Sequence, residues 1–588
     1  MAKFTTRPVI MGRRGVVAAG HYLAAAAGFR MMEQGGNAVD AAAAMGFCLN
    51  LLEPYQCGLG GEAPVLVYAA RERKPFAISG VGCTPESFTI DWCAQHGVDL
   101  IPGDGYLPAC VPAVVGTWAE ALARFGTMSF AQVLAPAIEL AEEGFPVYPG
   151  LHDAIAANLE RFTARYPTTG RIYCPDGRAP EVGDLFRNPD WAGVLRTLCR
   201  AEREAAGRGR VAGLEAARDA FYQGEIAARI ADFIASHPVE DDTGSAHAGL
   251  LTYEDIAAWR ASVEPPLTVD YRGLDVYKCP PWTQGPVFLQ QLTILEGFDL
   301  GALGHNSPDY LHTWIECAKL AFADRETYYG DPAHDPAPFD VLLSKEYAAQ
   351  RRALIGARAS LELRPGDMGA GVPAYAVHDV LADNRRALDS FASGGDTTQL
   401  VAIDCQGNMV SATPSGGWIP ASPVIEGLGF PLGTRGQMFY LSPDRPNALA
   451  GRKRPRATLT PTLVLRRGEP YMAFGTPGGD GQDQWALQFF LNVVDFGMDL
   501  QEALDAPTVH SMHFPSSFYP RRAFPGQMVA EGRIPAEVIA ELERRGHQVV
   551  VADDWANGKV MGALTDRERG VIMAAVSPRG QIGYALGW

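Results

Sequence analysis

The sequence predicts an α+β protein built as a four-layer αββα sandwich, with two sheets face to face and helices over their outer faces. Two observations point there. Helix-patterned stretches dominate the chain to about residue 360, and strand-patterned ones take over after Thr397. Hydrophobic residues make up 47% of the 588, which supports a large packed core.

Taken in order, the spacing of Ala, Leu and Met from Ala18 to about Leu52 predicts two helices, broken at Gly35-Gly36, with Asn37 capping the second. The basic N-terminus and the mildly apolar run after it lead straight into these helices. Removal of a leader would cost part of the fold, so a cytoplasmic protein is expected. No apolar run reaches membrane-spanning length, and no membrane partner is expected. "YQCGLGGEAPVLVYAA" then predicts a glycine turn feeding an apolar strand. From roughly 112 to 360 the pattern is mostly helical, with "FAQVLAPAIELAEEGF" and "YLHTWIECAKLAFADRETYYGDP" as the clearest amphipathic stretches. "LTVDYRGLDVYKC" reads as one short strand before the Pro280-Pro281 turn.

Between Arg364 and Asp396 no period is sustained, and a mobile connector is expected there. After it come "TTQLVAID", a Gln406-Gly407 turn, "NMVSAT", and a hairpin in "TLVLRRGEPYMAFG" turning near Arg467-Gly468. A helix in "QWALQFFLNVVDF" and two closing strands near "GVIMAAV" and "QIGYALG" complete the chain. The expected division is a helix-rich part, 1–396, and a strand-rich part, 397–588, folded as one globular unit.

Composition narrows the function. A net charge of −17 and a pI near 5.2 argue against a nucleic-acid partner, since neutralising phosphates needs a basic surface. The ten cysteines are scattered without a CxxC pair, and the twelve histidines form no ligand pattern, so no metal or cofactor is expected. There is no GxSxG elbow, HExxH helix or Walker loop.

What remains is "GGDTTQLVAID" at 394–404. A turn followed by a β-branched strand would account for it without chemistry. A threonine hydroxyl becomes a useful nucleophile, however, when its own α-amine, freed by cleavage of the preceding bond, takes its proton. An amine of pKa ~8 suits that task near neutral pH. Thr397 Oγ1 could attack the Asp396 carbonyl and release this terminus. Such a site also needs backbone N–H groups to hold an oxyanion, and "GTPGGDGQDQW" offers Gly478 and Gly479 between a strand and a helix start. The alternatives there are a plain glycine turn or a phosphate nest. The nest is disfavoured because no Gly-Lys-Ser/Thr follows and Asp480 and Asp483 would repel an anion.

"GGNAVDAA" at 35–42, "GLGGE" at 58–62, "KLAFADRETYYGDP" at 319–332, "TT" at 397–398, "KRPRATLTPT" at 453–462 and "GTPGGDG" at 475–481 occur in one order along the chain. Together they resemble the gamma-glutamyltranspeptidase family of N-terminal nucleophile hydrolases. The resemblance implies self-cleavage before Thr397, giving a large and a small subunit from one precursor. It also implies that Thr397 is the nucleophile, that Gly478 and Gly479 form the oxyanion pair, and that Ser415 in "SATPSGG" supplies the hydroxyl beside the nucleophile's amine.

The positions matching the glutamyl-binding residues depart from the family. Val81 in "VGCTPE" stands for an arginine, Gly417 for an asparagine, and Phe439 with Tyr440, just after Gln437, stand where an acidic residue is expected. Ala457 and Thr458 replace a serine pair. Losing such charge-assisted hydrogen bonds, each worth roughly 1.5–3 kcal/mol, makes glutathione a poor expected substrate. Val81, Trp418, Phe439 and Tyr440 suggest a flatter or more apolar acyl group, with Arg435 able to meet a carboxylate.

The expected activity is therefore that of an autoprocessed threonine amidohydrolase or acylase acting on a small amide or acyl substrate. The alternatives are a C–C bond hydrolase of a secondary-metabolite pathway, a true γ-glutamyl hydrolase or transferase, and a non-catalytic binding protein. A homodimer is the remaining partner expectation.

Overall fold

The structure is a computed structural model describing residues 4–367, 397–580 and 582–588. From residue 368 onward the connector expected at 364–396 lies outside the described residues.

The first part of the chain contributes strands β1 (Ile10–Gly12), β2 (Gly15–Ala19), β3 (Val65–Ala69), β4 (Lys74–Ile78), β5 (Val263–Glu264), β6 (Leu267–Tyr271) and β7 (Leu274–Lys278). After Thr397 come β8 (Leu400–Asp404), β9 (Met409–Ala412), β10 (Thr462–Arg466), β11 (Glu469–Gly475), β12 (Met561–Asp566), β13 (Val571–Val576) and β14 (Tyr584–Gly587). They form two seven-stranded antiparallel sheets, ordered β14-β2-β8-β9-β3-β4-β5 and β1-β13-β12-β11-β10-β7-β6. Each sheet thus takes strands from both sides of Thr397.

The period-2 alternation of strands sorts side chains into layers. Leu400 and Ala402 of β8 face a helical cluster, whereas Val401 and Ile403 join the core between the sheets. On the second sheet Leu463 and Ala473 face that same inner core, and Val464, Met472 and Phe474 face outward. Helices α1 (Tyr22–Glu33), α2 (Ala38–Leu52), α3 (Val114–Phe125), α4 (Phe130–Glu143) and α5 (Pro189–Ala205) cover the first sheet. The second is covered by α6 (Pro286–Leu295), α7 (Pro308–Tyr328), α8 (Gln482–Val494) and α9 (Leu500–Asp505). The four-layer αββα arrangement expected from the sequence is the one present.

Asn37 caps α2 as expected. Its Oδ1 accepts from Val39 N (2.9 Å) and Asp40 N (3.1 Å), while Asp40 returns a carboxylate oxygen to Asn37 N. Asp404, at the end of β8, accepts from Ala38 N (3.0 Å) and so ties the strand after Thr397 to this helix start.

Three elements differ from expectation. The first helix begins at Tyr22, because Gly15–Ala19 is a strand buried along its whole length, and a strand covered on both faces shows no alternation. "LTVDYRGLDVYKC" is a hairpin rather than one strand, turning at Arg272 and Gly273, both with positive φ. Finally, α7 is buried on every side from Tyr310 to Tyr328 rather than amphipathic. Its charges face protein partners: Lys319 pairs with Glu316 (2.6 Å), Arg351 with Asp324 (3.5 Å) and Arg456 with Glu326 (2.9 Å).

Candidate active site

Thr397 lies just before β8 and is 2% exposed. Thr398 N donates to Pro414 O (3.0 Å), and Ser415 exchanges two backbone hydrogen bonds with Glu62, each 2.9 Å long. Three segments thereby run side by side: 397–398, 413–416 and 60–62. The glycines of "GLGGE" permit this approach, since a Cβ on Gly61 would sit 2.2 Å from Ser415 O.

That packing brings four polar side chains into a buried line. Thr397 Oγ1 lies 3.0 Å from Ser415 Oγ, and Arg435 Nη2 donates to the same serine oxygen at 2.6 Å. Arg435 Nε donates to Glu62 Oε1. Burial pushes the Glu62 carboxyl up, and the guanidinium opposes that shift. The Arg435 guanidinium also lies over two rings, 5.0 Å from the Trp418 centroid and 5.7 Å from Phe518. Trp418 Nε1 donates to Gln56 O (2.8 Å), which fixes the indole. Arg435 thus already has a carboxylate, that of Glu62.

Gly478 and Gly479 fall on the loop between β11 and α8, with φ of +120° and +51°. A Cβ on Gly478 would come within 2.2 Å of the Trp485 ring, so only glycine fits. At the root of this loop Gly475 packs against Gln399, two residues past Thr397. The acidic residues that follow are neutralised. Asp480 receives Arg325 Nη1, Ser517 Oγ (2.6 Å) and Ser517 N (2.8 Å), while Asp483 meets Lys278 Nζ at 3.0 Å. Burial raises Asp483 to about 6 against the pull of that lysine. Anion repulsion by Asp480 and Asp483, expected from the sequence, is therefore cancelled by partners far away in the chain.

The other expected substrate contacts divide. Val81 and Ala457 are fully buried in the core between the sheets, beside Trp282. Gly417 has φ +63° and packs on the Gly58–Gly61 turn. Gln437 is committed to backbone, donating to Gly103 O (3.2 Å) and Thr434 O (3.1 Å) and accepting from Tyr519 N (3.0 Å). Tyr440 donates its hydroxyl to Glu326. Thr458 Oγ1 has no partner among the described residues. Sequence reasoning missed Glu62, although it ends a quoted motif, and also Arg325 and Phe518.

A cavity of about 900 Å³ reaches Thr398 and Pro477 and is walled by Tyr22, Tyr55, Tyr148 and Tyr584. No cluster of His, Cys, Asp or Glu suited to a metal occurs among the described residues, and no described helix is long and apolar enough to cross a membrane.

Comparison with known proteins agrees with this geometry. The family model for gamma-glutamyltranspeptidase matches residues 24–587. The glutathione hydrolase-like YwrD proenzyme of Bacillus subtilis (strain 168) is 32% identical over 98% of this chain and 99% of its own length. Among solved structures, LmbA2991HD is 42% identical with a TM-score of 0.94, each chain covered completely. A cephalosporin acylase from Bacillus halodurans is 32% identical with a TM-score of 0.83, over 100% of this chain and 98% of that one. The chain belongs to the gamma-glutamyltranspeptidase family and is an enzyme of the N-terminal nucleophile hydrolase type.

Proposed function

We propose that the chain cleaves itself between Asp396 and Thr397 and that the freed Thr397 then hydrolyses an amide through an acyl-enzyme. In the first step Thr397 Oγ1 attacks the Asp396 carbonyl, and the resulting ester is hydrolysed to leave Asp396 as a carboxylate and Thr397 as an amine. In turnover that amine takes the hydroxyl proton, Oγ1 bonds to the substrate carbonyl carbon, and the leaving amine departs with a proton. Water then releases the acid. Gly478 and Gly479 N–H groups hold the oxyanion in both acyl-transfer steps.

The observation that carries this reading is the 3.0 Å contact of Thr397 with Ser415, itself held by Arg435. A guanidinium can only donate, so Ser415 Oγ is an acceptor toward Arg435 and keeps its own proton for a neighbour. Arg435 and Glu62 act as positioning residues, since they reach Thr397 through Ser415.

The acyl group is one other than γ-glutamyl. Val81 offers no charge, and Arg435 already pairs with Glu62. The 900 Å³ cavity reaching Thr398 supports a sizeable leaving group.

A denaturing gel with N-terminal sequencing tests the first step. The wild type should yield pieces of 396 and 192 residues, the second starting "TTQLV", and Thr397→Ala should remain one chain. Release of amine from a panel of acyl anilides, with γ-glutamyl anilide among the poorest, tests the second. An intact wild-type chain after prolonged incubation would refute the mechanism.

A further inference from the structure

One aromatic ring beside the glycine pair takes no part in holding Thr397 or Ser415. Phe518 lies in the loop "HFPSSFYPRR" at 513–522, and a Cβ on Gly479 would meet its Cε2 at 3.0 Å, so the edge of the ring touches that glycine. The Arg435 guanidinium lies 5.7 Å from the Phe518 centroid, and the Trp418 ring lies 6.2 Å from it. Arg435 is itself 5.0 Å from the Trp418 centroid, which places cation and indole on the same side of Phe518. The other side is covered by neither. Trp418 is 1% exposed, whereas Phe518 is only partly buried.

The backbone around the ring is fixed. Ser517 gives Asp480 both its hydroxyl (2.6 Å) and its N–H (2.8 Å), Phe518 N donates to Ser516 Oγ (3.2 Å), and Phe518 O accepts from Arg521 N (2.7 Å). Tyr519 N donates to Gln437 Oε1 at 3.0 Å, and its hydroxyl donates to Asp242 O at 3.2 Å. Hydrogen bonds at three successive residues thus hold the ring in place before any substrate arrives. Burial of its remaining apolar area is then available to a ligand.

Position connects the ring to the chemistry. A carbonyl oxygen held by the Gly479 N–H would lie roughly 3 Å from that nitrogen, with the acyl carbon one bond further on. The acyl group therefore has to run along the side chain that touches Gly479. Arg435 is already met by Glu62 and Ser415, so a ring rather than a charge receives the group. Aromatic pairs favour offset-stacked or edge-to-face contact, and against a ring on a fixed loop only a flat group can take up either.

We propose that Phe518 is a specificity-determining wall of the acyl site and that the substrate is the amide of a flat, conjugated acid, an aryl or heteroaryl carboxylic acid. The proposal rests on the reading of Thr397 as the nucleophile and of Gly478 and Gly479 as the oxyanion pair.

The test uses the processed enzyme with benzoyl- and nicotinoyl-p-nitroanilide against the cyclohexanecarbonyl and butyryl analogues, which share one leaving group. The aryl series should be preferred in kcat/KM. Phe518→Leu keeps an apolar side chain against Gly479 and should lower kcat/KM for the aryl series ~3- to 10-fold, while changing the saturated series less than about twofold. Phe518→Trp should keep the aryl preference, and Phe518→Met, with the same expected split as leucine, serves if Phe518→Leu fails to fold. An equal loss in both series, as a ring that merely packs on the glycine loop would give, or a wild-type preference for saturated acyl groups overturns the proposal. If the wild type cleaves no anilide, the Thr397 reading fails separately, and calorimetric titration with benzoate against cyclohexanecarboxylate decides the wall. Tighter binding of benzoate that is lost in Phe518→Leu supports it, and any other result overturns it.

Discussion

Ser415 takes its importance from having to serve two neighbours with one oxygen. Ser415→Ala removes the link between Thr397 and Arg435 and leaves a buried guanidinium N–H unmet, so self-cleavage should slow ~10- to 100-fold, read from a gel time course. Ser415→Thr keeps the hydroxyl and should cleave at near the wild-type rate. A second residue-scale effect concerns acid. Burial holds His510 at about 3 in the folded chain, against an ordinary 6.5. Its depressed pKa means that stability is full above pH 6.5 and is lost as pH falls toward 3, because only the unfolded chain takes up the proton. In urea unfolding, the stability advantage of wild type over His510→Gln should therefore shrink by about 2 kcal/mol between pH 7 and pH 5. Thr397 and Ser415 were legible in the sequence because each sits in a short local pattern. The Arg435–Glu62 pair was not, since its members stand 373 residues apart and nothing local matches them.

Among the elements, the loop from β11 to α8 is the most constrained. Gly478→Ala would drive a methyl group into Trp485, at a φ that alanine rarely adopts, and so shift the N–H groups proposed to hold the oxyanion. kcat should fall ~100-fold or more with KM little changed, measured on any amide the enzyme turns over. By contrast, the cap of α2 bears on stability alone: Asn37→Ala should cost about 1 kcal/mol in urea unfolding and leave turnover intact. That cap was legible because Asn-x-x-Asp is a local signal. The burial of α7 was not, because charged residues at helical spacing look solvent-facing until their partners, Arg351, Arg456 and Asp480, arrive from elsewhere. The Arg272-Gly273 hairpin was missed for another reason: its turn carries no Asn-Gly or Asp-Gly, and Arg272 is held in the left-handed region.

At the scale of the molecule, the four layers could be read from the segregation of patterns, whereas the interleaving of strands could not, since strand order follows from pairings that no single stretch encodes. Both β8 and β9 sit inside a sheet between β2 and β3, so residues 1–396 expressed alone would leave two strand edges and a broken core. That piece should be insoluble or lack a cooperative melting transition, while the two pieces of the cleaved enzyme should separate only in denaturant. One more feature of these sheets bears on how the enzyme could be made. Trp588 O accepts from Arg13 N (2.7 Å) and Arg14 N (2.8 Å), and β14 pairs with β2, so residue 588 lies beside the segment 13–19. A circular permutant could therefore join residue 588 to Phe4, the first described residue, through a flexible Gly/Ser linker of about fifteen residues, spanning ~20 Å, and start translation at Met-Thr397. Removal of that single methionine during synthesis would present Thr397 as the first residue of an unbroken chain. Such a protein would be born with its nucleophile free, and its activity would no longer depend on the Asp396–Thr397 bond at all.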